Sequence, residues 1–177
     1  MSHSHPIVIA NTGTEPSMNL FSPRRLSCGI VIVNEQAELL LCHVTGQDHW
    51  DLPKGGPHTD ESPLQAALRE TREETGLRVD ADALLELGRL DYRPKKDLHL
   101  FAALLPRLDV AQLRCDSHFS QLGTGRRLPE MDGYGWFSFD RAPAQVTSKM
   151  AAVLTQRMDL NRVLGALTAR AGIRLAA

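Results

Sequence analysis

The sequence is short of cysteine and aromatic residues and has no excess of either charge. The three cysteines, Cys28, Cys42 and Cys115, are odd in number and far apart, and aromatic residues make up 5% of the 177 positions. A disulfide framework needs cysteines in pairs, so a disulfide-stapled secreted fold is not expected. The cysteine usage instead favours a reducing, cytoplasmic location.

The charge balance excludes a coat-like nucleic-acid binder. Lys and Arg total 20 against 21 Asp and Glu, which leaves a formal net charge of -1. Proteins that cover DNA or RNA need a clear basic excess, so DNA is not an expected partner. A small phosphorylated substrate stays compatible, because it needs only a few cations or a bound metal ion. No apolar run approaches the roughly 20 residues that span a bilayer, so no membrane partner is expected.

The chain divides into a short tail and one domain. Residues 1–22 mix small polar residues with one brief apolar patch and show no period, which predicts a flexible or edge-packed N-terminal extension. Residues 23–177 have the length of a single domain, and hydrophobic residues make up 42% of the whole chain, enough for a core.

Hydrophobic runs predict a mixed α/β fold. Residues 29–33 and 39–44 are apolar runs separated by a polar turn, which predicts a hairpin of two buried strands. The Pro/Gly-rich stretch 50–57 is expected to be a loop, and the polar stretch 106–132 a long connection without a period. Further strands are expected at roughly 84–92, 98–105 and 133–139, and one helix or two beyond residue 143.

Strong signals mark both ends of a helix in the middle of the chain. Ser62 can cap it, Pro63 suits its first turn, and Gln65 completes a capping box with Ser62. Gly76 is expected to end it as the C-cap. Residues at helical spacing are expected to face the core, and they are Leu64, Ala67, Leu68 and Thr71.

Three carboxylates share another face of this predicted helix. Glu70, Glu73 and Glu74 stand at positions i, i+3 and i+4, rotated away from the core stripe. Like charges this close destabilise a helix unless a cation compensates them, and Mg²⁺ prefers carboxylate oxygens. The alternative is a solvated acidic face neutralised by Arg69 and Arg72.

The stretch 55–77 resembles the Nudix box. It has Gly55, five residues, Glu61, seven residues, and then the run RETREETGL over 69–77. Nudix hydrolases cleave nucleoside diphosphates linked to another moiety. Thr71 is the one departure from the box, at a position that usually carries an aliphatic residue. The resemblance implies a Nudix-type α/β/α sandwich over residues 23–160, with a mixed sheet flanked by the box helix and a C-terminal helix.

The resemblance also implies roles for individual residues. Glu70, Glu73 and Glu74 match the metal-binding glutamates, Glu61 matches a secondary contributor, and Arg69 matches the arginine that orients them. Lys54 matches the residue whose backbone carbonyl contacts the metal. Gly55 and Gly56 let this loop approach the metal and the phosphates of the substrate. Mg²⁺ is the expected cofactor, with Mn²⁺ as a substitute.

Two further stretches are similar to one branch of the family. Residues 52–56 and 129–136 look like those of bacterial RNA pyrophosphohydrolases and diadenosine polyphosphate hydrolases. There Glu130 matches a carboxylate from outside the box, which is expected to act as a general base, a metal ligand or both. It should then lie on the same side of the sheet as Glu70 and Glu74. Lys149 matches a phosphate-reaching lysine more loosely.

Other basic residues have two interpretations. Arg126 and Arg127 precede Glu130, and a basic turn contains Arg93, Lys95 and Lys96. In both places a solvated surface is favoured over contact with phosphate, although Arg126 is kept as a substrate-binding candidate because it lies near Glu130 in the sequence.

These patterns together predict a Mg²⁺-dependent hydrolase of phosphoanhydride bonds. The neutral charge balance favours a small nucleotide, such as a dinucleoside polyphosphate or a nucleoside triphosphate, over the 5′ end of RNA. ADP-ribose is the next small-molecule candidate. The alternative is a catalytically silent module that senses nucleotides or RNA. A homodimer is neither required nor excluded by the sequence.

Overall fold

A computed structural model of the chain describes residues 24–172. They form three layers, with a mixed sheet in the middle and helices on both of its faces. The predicted N-terminal extension, residues 1–22, lies outside the described residues. The strands, in chain order, are β1 (Arg25–Val33), β2 (Glu38–Val44), β3 (Trp50–Asp51), β4 (Lys54–Gly55), β5 (Leu85–Arg93), β6 (Lys96–Leu104), β7 (His118–Ser120), β8 (Arg127–Pro129) and β9 (Met131–Ser138). The helices are α1 (Pro63–Thr75), α2 (Ala142–Gln145), α3 (Ser148–Ala152) and α4 (Leu160–Ala171), and a π-helical turn joins α3 to α4.

The main sheet has the order β3-β2-β1-β6-β5, with β4 added to β1 and β9 added to β2. Among the strands of residues 24–172, β1 and β6 are the one parallel pair. β1 and β2 form the predicted hairpin, but they pair only at Val33 and Leu39 beside the turn. Beyond that rung β1 pairs with β4, whereas β2 pairs with β9 and β3. The sheet therefore opens between β1 and β2.

Side chains alternate along β1 between two cores. Ile30 and Ile32 pack with Ala67 of α1, while Val31 and Val33 pack with the apolar residues of α3 and α4. This places α1 on one face of the sheet and α2–α4 on the other, which confirms the predicted α/β/α sandwich. None of the helices in residues 24–172 has the length and apolar character needed to cross a membrane.

The ends of α1 are as predicted. Gln65 N–H donates to Ser62 Oγ over 3.2 Å, and Ser62 N–H donates to Gln65 Oε1 over 2.9 Å. Gly76 has φ 77° and donates its N–H to Arg72 O. The capping box and the glycine C-cap are confirmed.

Short strands were missed. The predicted loop 50–57 contains β3 and β4, and the predicted connection 106–132 contains the β7–β8 hairpin. Strands of two or three residues are too short to show an alternating pattern, and β7 is exposed at all three positions. Beyond residue 143, α4 is separate from the shorter helices because the Asp159 side chain caps it by accepting from Arg162 N–H.

Candidate active site

Two carboxylates of α1 are buried against the sheet, although their position away from the core stripe did not require these side chains to be buried. Glu70 is 9% exposed and Glu74 is 3% exposed. β4 covers them: Lys54 N–H donates to Glu74 Oε2 over 2.9 Å, and a Cβ atom at Gly55 would overlap the Glu70 carboxylate. Glycine is therefore needed at position 55, because the strand backbone passes directly over the helix.

Arg69 ties three carboxylates together. Its Nε and Nη2 donate to Glu61 over 2.9 Å each, and its Nη1 donates to Glu70 over 2.8 Å and to Glu73 over 3.2 Å. Nη2 also donates to Gly56 O, which fixes the loop before the helix. Hydrogen bonds from Arg69 hold the pKa of Glu61 down at about 2. Glu61 thus anchors Arg69, and Arg69 orients Glu70.

Glu130 lies within electrostatic reach of the α1 carboxylates. Burial raises the pKa of Glu74 to about 8; Lys54 opposes this shift, and the charges of Glu70 and Glu130 add to it. Burial also raises the pKa of Glu70, against the effect of Arg69 and with further contributions from Glu73 and Glu130. Three carboxylates from two separate segments therefore repel one another at this position.

The connection that carries Glu130 is bound to the C-terminal end of α1. Asp116 N–H donates to Glu73 O over 2.6 Å, and Tyr134 Oη donates to Glu74 O over 2.7 Å. Ser117 accepts the Glu130 N–H at its carbonyl and places its Oγ 3.3 Å from Glu130 Oε2. Sequence reasoning missed Ser117 and Tyr134, since nothing in the pattern relates these positions to the helix.

The Lys54 side chain is not directed toward solvent. Its Nζ lies 2.5 Å from Asp51 Oδ2, and both side chains are nearly buried. Burial lowers the pKa of Lys54, but the charge and hydrogen bond of Asp51 outweigh it and the net shift is upward. Lys54 contributes its backbone beside Glu74, while its ammonium group is held by Asp51, a residue that the sequence did not single out.

Other predicted site residues are not gathered with these carboxylates. The Glu73 side chain is 40% exposed and contacts Arg69 at the edge of the cluster. Lys149 is exposed on α3, in the layer opposite α1, and Arg126 and Arg127 are exposed at the β7–β8 hairpin. Within residues 24–172 none of these three cations forms an ion pair, and none is placed beside Glu70 or Glu74 by a hydrogen bond.

The residues present fit a hard divalent cation. Across the described part of the chain, no three His, Cys, Asp or Glu side chains stand ready as a ligand set, and Arg69 holds Glu70 and Glu73 instead. Yet the Glu74 carboxylate accepts from a peptide N–H, while Glu70 and Glu130 repel it. Mg²⁺ prefers carboxylate oxygens as ligands. A cation bound between these carboxylates would also remove their mutual repulsion.

Comparison with known proteins gives one consistent family. The model of the NUDIX domain matches residues 23–156. The chain is 35% identical over 143 residues to the RNA pyrophosphohydrolase of Hahella chejuensis, covering 76% of this chain and 88% of that protein. It is 33% identical over 123 residues to the RNA pyrophosphohydrolase of a Marinomonas species, covering 65% and 76%.

Solved structures share the fold. A C. elegans Ap4A hydrolase binary complex superposes with a TM-score of 0.55 at 24% identity, covering 81% of this chain and 98% of that one. A MutT NUDIX hydrolase from Burkholderia pseudomallei superposes with a TM-score of 0.57 at 22% identity, covering 78% and 100%.

Proposed function

Because the chain belongs to the Nudix family, we propose that this pyrophosphohydrolase uses Mg²⁺ to cleave a phosphoanhydride bond at the 5′ end of RNA. The observation that supports the hydrolytic site is the position of Glu130. Ser117 bonds both to the Glu73 carbonyl, at the C-terminal end of α1, and to Glu130, which brings Glu130 close enough to raise the pKa of Glu70 and Glu74. The choice of RNA is supported by the names of relatives that are 33–35% identical over most of their length.

The proposed division of labour follows from burial and hydrogen bonding. Glu70, Glu74 and Glu130 would hold the cation, with the Lys54 backbone beside them and Glu73 at the outer edge. A divalent cation bound there would polarise the phosphoryl oxygens and neutralise the charge that develops on them. Arg69 keeps Glu70 in place and is in turn fixed by Glu61. Gly55 and Gly56 keep side chains away from the position of the phosphates.

Glu130 is the proposed proton acceptor for the attacking water. It comes from a loop outside α1, is only half-buried, and receives a weak contact from Ser117 Oγ rather than from a cation. A base in this position increases the reaction rate, because it accepts a proton from the water molecule as that water attacks phosphorus. Glu130 can also contribute an oxygen to the cation when it is not serving as the base.

A small nucleotide is the second candidate substrate. The net charge of -1 favours a compact ligand, such as a dinucleoside polyphosphate or a nucleoside triphosphate, over a long polyanion. ADP-ribose follows these in order. Mn²⁺ is expected to replace Mg²⁺, and the cytoplasmic location belongs to the same proposal, since the three cysteines are free.

A panel of substrates tests the proposal. We expect kcat/KM for a triphosphorylated RNA of about eight nucleotides to exceed the values for ATP and diadenosine tetraphosphate at about 0.15 M salt, where screening is physiological. Glu74→Gln and Glu130→Gln should each reduce kcat on RNA by a factor on the order of 100. Faster cleavage of the small nucleotides would favour the second candidate. If no substrate is turned over with Mg²⁺ or Mn²⁺, the protein is not a hydrolase of these substrates and the alternative, a module that senses nucleotides or RNA, is favoured.

A further inference from the structure

Three cations stand side by side where β1, β6 and β5 meet the β5–β6 turn. Arg25 is paired with Lys96 across the parallel β1–β6 ladder, and Arg93 is paired with Lys96 across the antiparallel β5–β6 ladder. Residues opposite each other on neighbouring strands project from the same face. Lys96 alternates with Leu98 and Leu100, which pack toward α3 and α4, so the three project from that face. We call Arg25, Lys96 and Arg93 the cation row.

The two faces of this sheet end differ in how their charges are neutralised. On the α1 face, Arg24 and Arg89 both bond to Asp97, and Arg24 also bonds to Asp91. The cation row has no ion pair with any residue in 24–172. Like charges opposite each other destabilise a sheet unless a counter-charge compensates them. Asp51 lies near Lys96 but is paired with Lys54, so the row has no ion-pair partner comparable to Asp97.

The internal contacts of the row do not neutralise it. Arg93 lies 4.7 Å from the centre of the Tyr92 ring and donates to Tyr92 Oη over 3.0 Å. Burial lowers the pKa of Lys96, and the charges of Lys54, Arg93 and Arg25 lower it further, whereas Asp51, which is paired with Lys54, acts in the opposite direction. The three row residues thus stand close enough to repel one another, and Lys54 stands close to them.

Lys54 connects the row to the carboxylates. It is paired with Gly29 of β1, a position that alternates in step with Arg25 and Val31, so the Lys54 side chain lies on the same face of the sheet as Arg25. The Lys54 N–H donates to Glu74, which belongs to the opposite face. The row and the carboxylates lie on opposite faces of the sheet. Only a ligand that continues past β4 can reach both, and a nucleotide whose phosphates end at the carboxylates would not need the row.

We propose that the cation row binds the phosphodiester groups of the RNA strand that follow the cleaved anhydride. This inference rests on the proposed function, and it explains how a chain with net charge -1 can hold a polyanion: the cations are concentrated along the path of the strand. Phosphate contacts from lysine and arginine give affinity without sequence preference and make binding salt-dependent.

The test compares two double variants that remove the same charge. Arg25→Gln/Arg93→Gln removes the outer members of the row. Arg78→Gln/Arg141→Gln removes two exposed arginines that form no ion pair within residues 24–172 and that lie outside the proposed site. The probe is a 3′-labelled single-stranded RNA of about eight nucleotides with a 5′-monophosphate, and fluorescence anisotropy measures its Kd over a range of salt concentrations.

The row variant is expected to bind the RNA about tenfold more weakly, with a salt slope reduced by about 1.4 for two lost contacts. The control variant should match the wild type, and kcat/KM for ATP should be unchanged in both. Equal RNA binding by the row variant and the wild type overturns the proposal. An equal loss toward inorganic triphosphate also overturns it, because the row would then hold terminal phosphates. If the row variant binds RNA more weakly than the wild type but the wild type hydrolyses no RNA, the proposed function is refuted. The proposal that the cation row binds RNA would then still stand.

Discussion

At the level of single residues, burial has a large effect on the pKa of Glu74. Its pKa is raised to about 8, chiefly by burial and further by Glu70 and Glu130. In the unfolded chain the same group titrates near 4.5. Between these two pH values the folded protein without metal therefore holds a proton that the unfolded chain has released.

This difference predicts a pH dependence of stability. Because the folded state binds more protons between about pH 4.5 and about pH 8, the free energy of unfolding of the metal-free protein should fall as pH rises through this window, by up to about 1.4 kcal/mol per pH unit. Glu74→Gln should lose the part of this fall that comes from Glu74, whereas Glu70, whose pKa is also raised, keeps its own part. Urea unfolding in EDTA at about pH 5 and about pH 8 measures it.

Glu73→Gln is the matched control, since its side chain is 40% exposed on the same helix. It should keep the wild-type fall in stability between the two pH values. If Glu74→Gln and the wild type lose stability in parallel over the window, Glu74 is already ionised in the folded protein and the assignment of its raised pKa is wrong.

At the level of elements, the two ends of α1 are held by different parts of the chain. Ser62 caps the N-terminal end from within the local sequence, whereas Tyr134 reaches from β9 to the carbonyl of Glu74. The first contact stabilises the helix alone. The second also fixes the turn that carries Glu74 relative to the strand that follows Glu130.

Tyr134→Phe and Ser62→Ala separate these effects. Each removes a hydrogen bond at one end of α1 and should cost about 1 kcal/mol of stability. Only Tyr134→Phe should raise the Mg²⁺ concentration for half-maximal activity, because only it loosens the turn at Glu74. Unfolding and Mg²⁺ titrations on both variants give the comparison. A shift of the Mg²⁺ dependence in Ser62→Ala as large as that in Tyr134→Phe would show a general effect of stability.

The elements also show where sequence patterns stop being informative. Helix α1 could be predicted with both ends because Ser62, Gln65 and Gly76 act on their own neighbours. β3, β4 and the β7–β8 hairpin could not, since strands of two or three residues are too short to alternate. β4 is in addition held by β1, which is distant in sequence. The Nudix resemblance supplied the candidate carboxylates, but their burial depends on where β4 crosses α1.

At the level of the whole molecule, the site depends on the opening of the sheet between β1 and β2. β4 pairs with β1 in this opening and covers Glu70 and Glu74, while β9 pairs with β2 and brings Glu130 to the same helix end. The cation row likewise exists only through the register of three strands. Local sequence does not contain these registers, so it showed Arg93 and Lys96 as a basic turn and gave no reason to join Arg25 to them.

The central claim is that Glu70, Glu74 and Glu130 together hold the divalent cation of a phosphoanhydride hydrolase. Anomalous diffraction from crystals of the protein grown with Mn²⁺ tests it most directly. We expect an anomalous peak within coordination distance of oxygens of Glu70 and Glu74, with Glu130 on the same ion or on a second one beside it. A Mn²⁺ peak bound elsewhere, with Arg69 still paired to Glu70 and no ion at these carboxylates in an active preparation, would contradict it.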